Sequence, residues 1–320
     1  MSEMEPAGEK ANENWERKVI EKLARSALDE QRKSRNWGIF FKTLTFIYLF
    51  ALLFIAFGWL GGREPMPGDH TALVELNGII AADAHANADV VTQGLQDAFE
   101  SKGTRGVILR INSPGGSPVQ AGTINTEIHR LRQKYPQIPL YAVIEDICAS
   151  GGYYVAVAAD QIYVDRASIV GSIGVLMDGF GFTGTMEKLG VERRLLTAGE
   201  NKGFLDPFSP MNASQKEYAQ KMLGEIHQQF IEVVRKGRGK RLKEGPDTYS
   251  GLVWTGQRSI ELGLADALGS VDFVAREIIK AEKIVDFTPH ENIAERFAKR
   301  FGAAMGEALM RVGIANSPVR

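Results

Sequence analysis

Cysteine is nearly absent from this chain: Cys148 is the single one in 320 residues. One cysteine forms no intrachain disulfide, so a domain lying outside the cytoplasm must be held together by its core. Neither a disulfide scaffold nor a zinc site of the paired-cysteine kind can be assembled. A surplus of one charge is lacking too. Lys and Arg number 38 against 39 Asp and Glu, a formal net charge of −1, which excludes the basic footprint of a nucleic-acid-binding protein. Histidine is scarce, with five residues, and no internal repeat is visible. What remains, 44% hydrophobic and 24% charged residues, is the composition of a globular protein. The length suggests about two domains. No metal or cofactor is expected.

One run of the chain lacks charge altogether. Thr43 to Leu60 reads TLTFIYLFALLFIAFGWL, and no face of it is polar. Extended back to Gly38 it contains one charge, Lys42, which can snorkel to an interface. About 20 helical residues cross a hydrocarbon core of ~30 Å, so a transmembrane helix is expected over 38–60. A cleavable signal peptide fits less well, because the apolar stretch is long and GGREPMPGDH (61–70) carries no small-residue cleavage pattern. Lys18, Lys22, Arg25, Arg32, Lys33 and Arg35 precede the span, whereas Arg63 alone closely follows it. The positive-inside rule then puts the N-terminus in the cytoplasm and the larger part outside, as a single-pass protein of a bacterial cytoplasmic membrane with a periplasmic domain.

Residues 1–37 read as a cytoplasmic tail or a short amphipathic helix, with Trp15, Val19, Ile20, Leu23 and Leu28 as its loose apolar pattern. The stretch 61–70 reads as a linker. From 71 to 285, strand patterns alternate with helical ones: strands over 72–80, 105–112, 138–146 and 161–165, helices over 89–101, 119–135 and about 213–236. That alternation predicts an α/β domain with a mainly parallel sheet. Residues 286–320 show helical periodicity through Ile293, Phe297, Phe301, Met305 and Leu309.

Two Gly-rich turns directly follow two of the strands, INSPGGS (111–117) and ICASGGYYVA (147–156). The carboxyl ends of parallel strands are where active sites collect. Glycines there let backbone N–H groups approach a ligand closely. A hydroxyl at such a turn can attack a carbonyl while neighbouring N–H groups bind the developing oxyanion. Ser150 sits in that position, and Ser113 could equally serve. The plainer reading makes each Gly pair a tight turn and Ser150 a helix N-cap. A nucleophilic serine needs a base. Of His70, His85, His129, His227 and His290, none lies in a Gly-rich loop beside another polar candidate. Lysine can replace histidine if it is partly buried and loses its charge. Lys202 lies in TAGENKGFLDPFSPM (197–211), where Phe204, Leu205 and Phe208 could desolvate it. Cys148, two residues before Ser150, is a rival nucleophile, although a buried small hydrophobe is its commoner fate. Gly179-Phe-Gly-Phe-Thr-Gly184 spells GxGxxG, with Glu200 about 20 residues on, and would suit a dinucleotide-binding oxidoreductase if it joined a strand to a helix.

Four segments in order, NSPGG (112–116), ASGGYYVA (149–156), SIVGSIGV (168–175) and VWTGQRSIELGLAD (253–266), resemble the signal peptide peptidase A family of serine proteases in its single-repeat form. The resemblance implies a Clp protease/crotonase-like fold, a ββα-type spiral with a parallel sheet. It implies a Ser-Lys dyad with Ser150 as nucleophile, Lys202 as general base and Ser172 orienting the lysine. Gly116 and Gly151 would supply the oxyanion hole through their N–H groups. It implies an endopeptidase for released signal peptides and other membrane-derived peptides, with no cofactor. It also implies a homo-oligomeric ring in which one protomer supplies part of the substrate groove. An inactive membrane scaffold of the same fold is the alternative.

Overall fold

Residues 18–35 are dominated by Glu, Lys, Arg, Ala, Leu and Gln, all strong helix formers. In the computed structural model, which describes residues 7–56 and 68–289, they do not form a separate tail. A single helix, α1, runs from Ala7 to Ala56, about 75 Å at 1.5 Å per residue. It is long and apolar enough to cross a membrane, and its apolar window is wholly unburied. The tail pattern expected over 286–320 lies outside the described residues from position 290 onward.

Residues 65–290 form a compact unit of their own. Strand β1 (His70–Asn77) leads to helix α2 (Ala88–Glu100), β2 (Thr104–Ser113), α3 (Pro118–Lys134), β3 (Leu140–Ala149) and the short α4 (Gly151–Ala156). Then come β4 (Gln161–Val164), β5 (Ile169–Gly171), α5 (Thr183–Lys188), α6 (Ala213–Arg238), β6 (Val253–Thr255), α7 (Gly256–Glu261) and β7 (Ala267–Leu268). Helix α8 (Val271–Phe273) continues as a π-helical turn (Val274–Ile279) before β8 (Ile284–Asp286). The sheet order is β6-β5-β3-β2-β1-β8, with β4 joining β3 to β7. Every pairing is parallel except β5 with β6. The expected mixed α/β fold with a mostly parallel sheet is therefore observed.

Alternation along β2 sorts the two faces. Val107, Leu109 and Ile111 join the main core, together with Leu95, Phe99, Ile124, Ile128 and Leu131 from α2 and α3. Ile108 faces the opposite side and packs with Leu73, Val143, Tyr163 and Val274. Burying one such side chain contributes about 1.5–3 kcal/mol. The helix starts are specified locally. Asn87 caps α2 by accepting from Val90 N–H. Ser117 caps α3 with Pro118 in its first turn, and Asn212 caps α6.

Strand β3 changes partners along its length. Residues 141–144 pair with β4, and residues 147–149 pair with β5. On its other side Ile144 lies opposite Ile111 while Cys148 lies opposite Ser113. Glu145, Asp146 and Ile147 thus form a bulge, which bends a strand and re-aims the residues after it. Ser168 Oγ holds the bulge by donating to the Glu145 carbonyl at 2.5 Å.

The end of α6 is tied to the sheet by a buried ion pair. Arg238, 1% exposed, donates two bonds of 2.9 Å to the Asp266 carboxylate and one of 2.8 Å to the Gly263 carbonyl. Asp266 also accepts from Ile162 N–H of β4. Burial pushes its carboxyl up, but the bonds from Arg238 and Ile162 N–H, with Arg241 beside them, together outweigh this and hold it below the ordinary aspartate range. A carboxylate depressed in the folded state contributes stability above its unfolded pKa and loses it as pH falls through the folded one. Asp266→Asn leaves the Arg238 charge buried without a counter-charge. Chemical denaturation at neutral pH is expected to show a loss of about 3–5 kcal/mol, and the deficit against wild type should shrink in acid below the aspartate range.

Candidate active site

Ser150 directly follows β3 at φ 50° and ψ −121°, a backbone conformation that costs a non-glycine residue about 1–3 kcal/mol. Its N–H donates to the Gly171 carbonyl of β5 at 2.8 Å. Its own carbonyl accepts from Tyr154 N–H at 2.9 Å, the first bond of α4. It occupies the N-cap position, but its hydroxyl makes no capping bond. Ser150 instead lines a cavity of about 580 Å³, together with Gly116, Gly151, Ser172, Tyr154 and Phe230. The plain N-cap reading of Ser150 accounts for its position and not for its side chain.

Two N–H groups converge beside it. Gly151 is the first residue of α4, and the first N–H groups of a helix have no intrahelical partner. The other belongs to Gly116. Gly115 C=O and Ser117 N–H both bond Ile80, at 2.9 and 2.8 Å. Alternation turns the intervening Gly116 N–H the other way, where it lies 3.3 Å from the place a Gly151 Cβ would occupy. It has no partner among the described residues. Gly116 must be glycine: its φ is 146°, and a side chain would run into the Ile80 carbonyl. At Gly115, a Cβ would come within 2.7 Å of Ser150 Cβ and Gly151 N. The two Gly-rich turns are therefore pressed against one another.

Ser172 also lines the cavity, at φ 52°, with its N–H bonded to the Leu252 carbonyl at 2.7 Å. Thus Ser150, Ser172, Gly116 and Gly151 are brought together. Lys202 is not. It sits in an exposed turn between α5 and α6, its ammonium has no ion pair among the described residues, and it does not line this cavity. The apolar shielding expected from Phe204, Leu205 and Phe208 is not delivered within one chain. Phe204 packs edge-on against Tyr218, and Phe208 stacks on Phe182.

The other candidates fall away. Ser113 is fully buried and its hydroxyl donates to the Gly78 carbonyl at 2.6 Å. Cys148 points into the core, where burial pushes its thiol far above the ordinary range. None of the four histidines within the described residues lines the cavity; His290 lies outside them. His70 is buried with Nε2 3.2 Å from Thr104 Oγ1, and burial, with Arg132 and Lys236 near, lowers His129. His227 Nε2 lies 3.2 Å from the Ile173 carbonyl. The GxGxxG run joins no strand to a helix: residues 172–182 are irregular, and α5 beyond them has six residues.

Sequence reasoning missed the cavity's apolar wall. Ala121 of α3, Tyr154 of α4 and Ile226 and Phe230 of α6 supply it, with the Tyr154 and Phe230 ring centroids 5.2 Å apart. The i, i+4 spacing of Ile226 and Phe230 marks a helix face, but nothing local says which surface that face covers.

A family model described as Peptidase family S49 matches residues 132–285. A Synechocystis sp. protein provisionally named a protease is 31% identical over 199 residues, covering 62% of this chain and 69% of that one. The chain belongs to peptidase family S49. Protease 4 of Haemophilus influenzae is 30% identical over 219 residues, 67% of this chain and 35% of that protein. A Brucella melitensis protein named Na(+)/H(+) antiporter NhaA is 46% identical over 177 residues, 55% of this chain. The chain spans 24% of that antiporter's length and 64% of two further relatives.

The buried thiol provides a check on the nucleophile. Native protein treated with iodoacetamide is expected to stay unmodified at Cys148, and labelling should appear as denaturant unfolds the domain. Rapid alkylation of the folded protein would reinstate Cys148 as a reactive group.

Proposed function

We propose that this S49 member is a membrane-anchored serine endopeptidase acting on cleaved signal peptides and similar membrane-derived peptides. One observation carries the reading: a serine held at φ 50° at a cavity with one apolar wall, with two unpartnered backbone N–H groups beside it. Attack by Ser150 Oγ on a scissile carbonyl would place the new oxyanion between Gly116 and Gly151 N–H. Collapse of that adduct expels the amine and leaves a seryl ester, which water hydrolyses. Each oxyanion donor is worth about 10²–10³ in rate. The apolar wall favours peptides with small or apolar side chains. The names of Protease 4 and related proteins support the peptidase class.

The base is Lys202, carried over from the family motif. Because it lies on an exposed arm away from the Ser150 cavity of its own chain, the dyad forms between neighbouring copies in a homo-oligomeric ring. Ser172 orients the incoming amine. Helix α1 anchors each copy, N-terminus inside, with residues 68–289 on the periplasmic side of a bacterial cytoplasmic membrane. Antiport is not adopted: one helix among the described residues is long and apolar enough to span a bilayer, whereas transporter folds build their sites between several.

Ser150→Ala and Lys202→Ala should each abolish peptide hydrolysis by the full-length protein in detergent. Co-assembling the two inactive variants should restore a fraction of the activity, since some interfaces then pair an intact serine with an intact lysine. Continued inactivity of the mixture would place the dyad within one chain. Full activity of either single variant would remove that residue from the mechanism, and a scaffold without peptidase activity would show no hydrolysis in the wild type either. Protease added to intact spheroplasts should digest the C-terminal domain; protection would reverse the orientation.

A further inference from the structure

The Ser113 hydroxyl is fully buried and makes two bonds to backbone. It donates to the Gly78 carbonyl at 2.6 Å and accepts from Gly115 N–H at 3.1 Å. Gly78 N–H in turn donates to the Asn112 carbonyl at 2.9 Å. One hydroxyl therefore fastens the turn after β1 to the turn after β2, at the residue immediately before the oxyanion loop. The two residues it controls are the critical ones. Gly115 lies so close that a Cβ on it would stand 2.7 Å from Ser150 Cβ and Gly151 N, and the following peptide carries Gly116 N–H. The Ser113 backbone bears on the same site from beneath, since a Cβ at Gly152 would stand 3.0 Å from its carbonyl.

Resting on the reading of Ser150 as nucleophile, the geometry points to Ser113 as a positioning residue that sets the Gly115–Gly116 peptide and so aims the Gly116 N–H at the developing oxyanion. It touches no substrate, because it does not line the cavity. Its loss leaves the buried Gly115 N–H without a partner and frees the half-buried Gly78 carbonyl, and the turn relaxes to find new ones. A donor displaced by a fraction of an ångström still permits peptide binding but stabilises the tetrahedral adduct poorly. The expected signature is therefore a loss in kcat per folded active site with KM retained; a smaller folded fraction also lowers apparent kcat, so the thermal-unfolding comparison and the labelling rate constant separate the two.

The test compares full-length wild type, Ser113→Ala, Ser113→Cys and Ser150→Ala. A fluorophosphonate probe forms a tetrahedral adduct on an activated serine, and its labelling rate is read beside kcat, KM and thermal unfolding. Ser113→Ala is expected to label about 10- to 100-fold more slowly, with kcat falling in step and KM within about two-fold. Ser113→Cys, which keeps a weaker donor and acceptor of similar size, should be intermediate. A folded Ser113→Ala protein that labels at the wild-type rate overturns the proposal. If Ser113→Ala does not fold, Ser113→Cys decides, and a wild-type rate there has the same meaning. Absence of labelling at Ser150 in the wild type is a different failure: the nucleophile reading falls, and this inference with it.

Discussion

The site depends on one strained residue and on what prevents it from relaxing. Ser150 would prefer a negative φ, and nothing in its own dipeptide holds it at 50°. Its N–H is claimed by the Gly171 carbonyl and its C=O by α4, so both flanking peptides are fixed by bonds from different directions. Gly115 packs so close to Ser150 that even a Cβ at position 115 would clash with Ser150 Cβ. Strain of this kind persists only where surroundings over-determine it. Here the ends of β2, β3 and β5 do so together.

Those strand ends meet because β3 is bulged. A straight β3 would keep β4 beside it and end at the same level, with no gap for β5 to enter. The extra residues Glu145 to Ile147 let the strand leave β4 and pair with β5, and this turns Ala149 and Ser150 toward the turn after β2. Ser168, just before β5, braces the bulge through its hydroxyl. The cavity's far wall needs a separate anchor, since α6 has few buried residues of its own. The Arg238–Asp266 pair provides it at the helix's C-terminal end. Breaking such a pair costs more than the pair itself contributes, so α6 is held in place rather than merely stabilised.

The parts of this arrangement that are local were legible in the sequence. The apolar runs in β2 and β3, the glycines after them and the serine at the second turn all follow from neighbours within a few residues. So did the apolar character of Thr43 to Ala56. What depends on distant residues was not legible. The partner exchange of β3 is written in no single segment. Ser113 and Ser150 looked equivalent by turn chemistry, and only the Gly78 carbonyl, 35 residues from Ser113, separates a buried brace from an exposed nucleophile. Residues 1–37 read as a tail or a short amphipathic helix because their apolar pattern was loose, yet the helix propensity of residues 18–35 carries α1 without a break into the apolar run. Phe204, Leu205 and Phe208 lie beside Lys202 in sequence but pack elsewhere, so proximity along the chain was a poor guide to desolvation.

Two features of the segment between β5 and α6 are better treated as one. Its lysine is exposed to water. Its apolar side chains are exposed too: Phe180 is 81% and Leu196 96% accessible. Soluble surfaces rarely leave large apolar patches open unless something covers them. Covering this arm with another copy would remove water from both, which supplies the desolvation that Lys202 lacks in a single chain. Coupling the base to assembly would also keep an isolated protomer inactive. With the proposed inter-copy dyad, that would confine proteolysis to the assembled form.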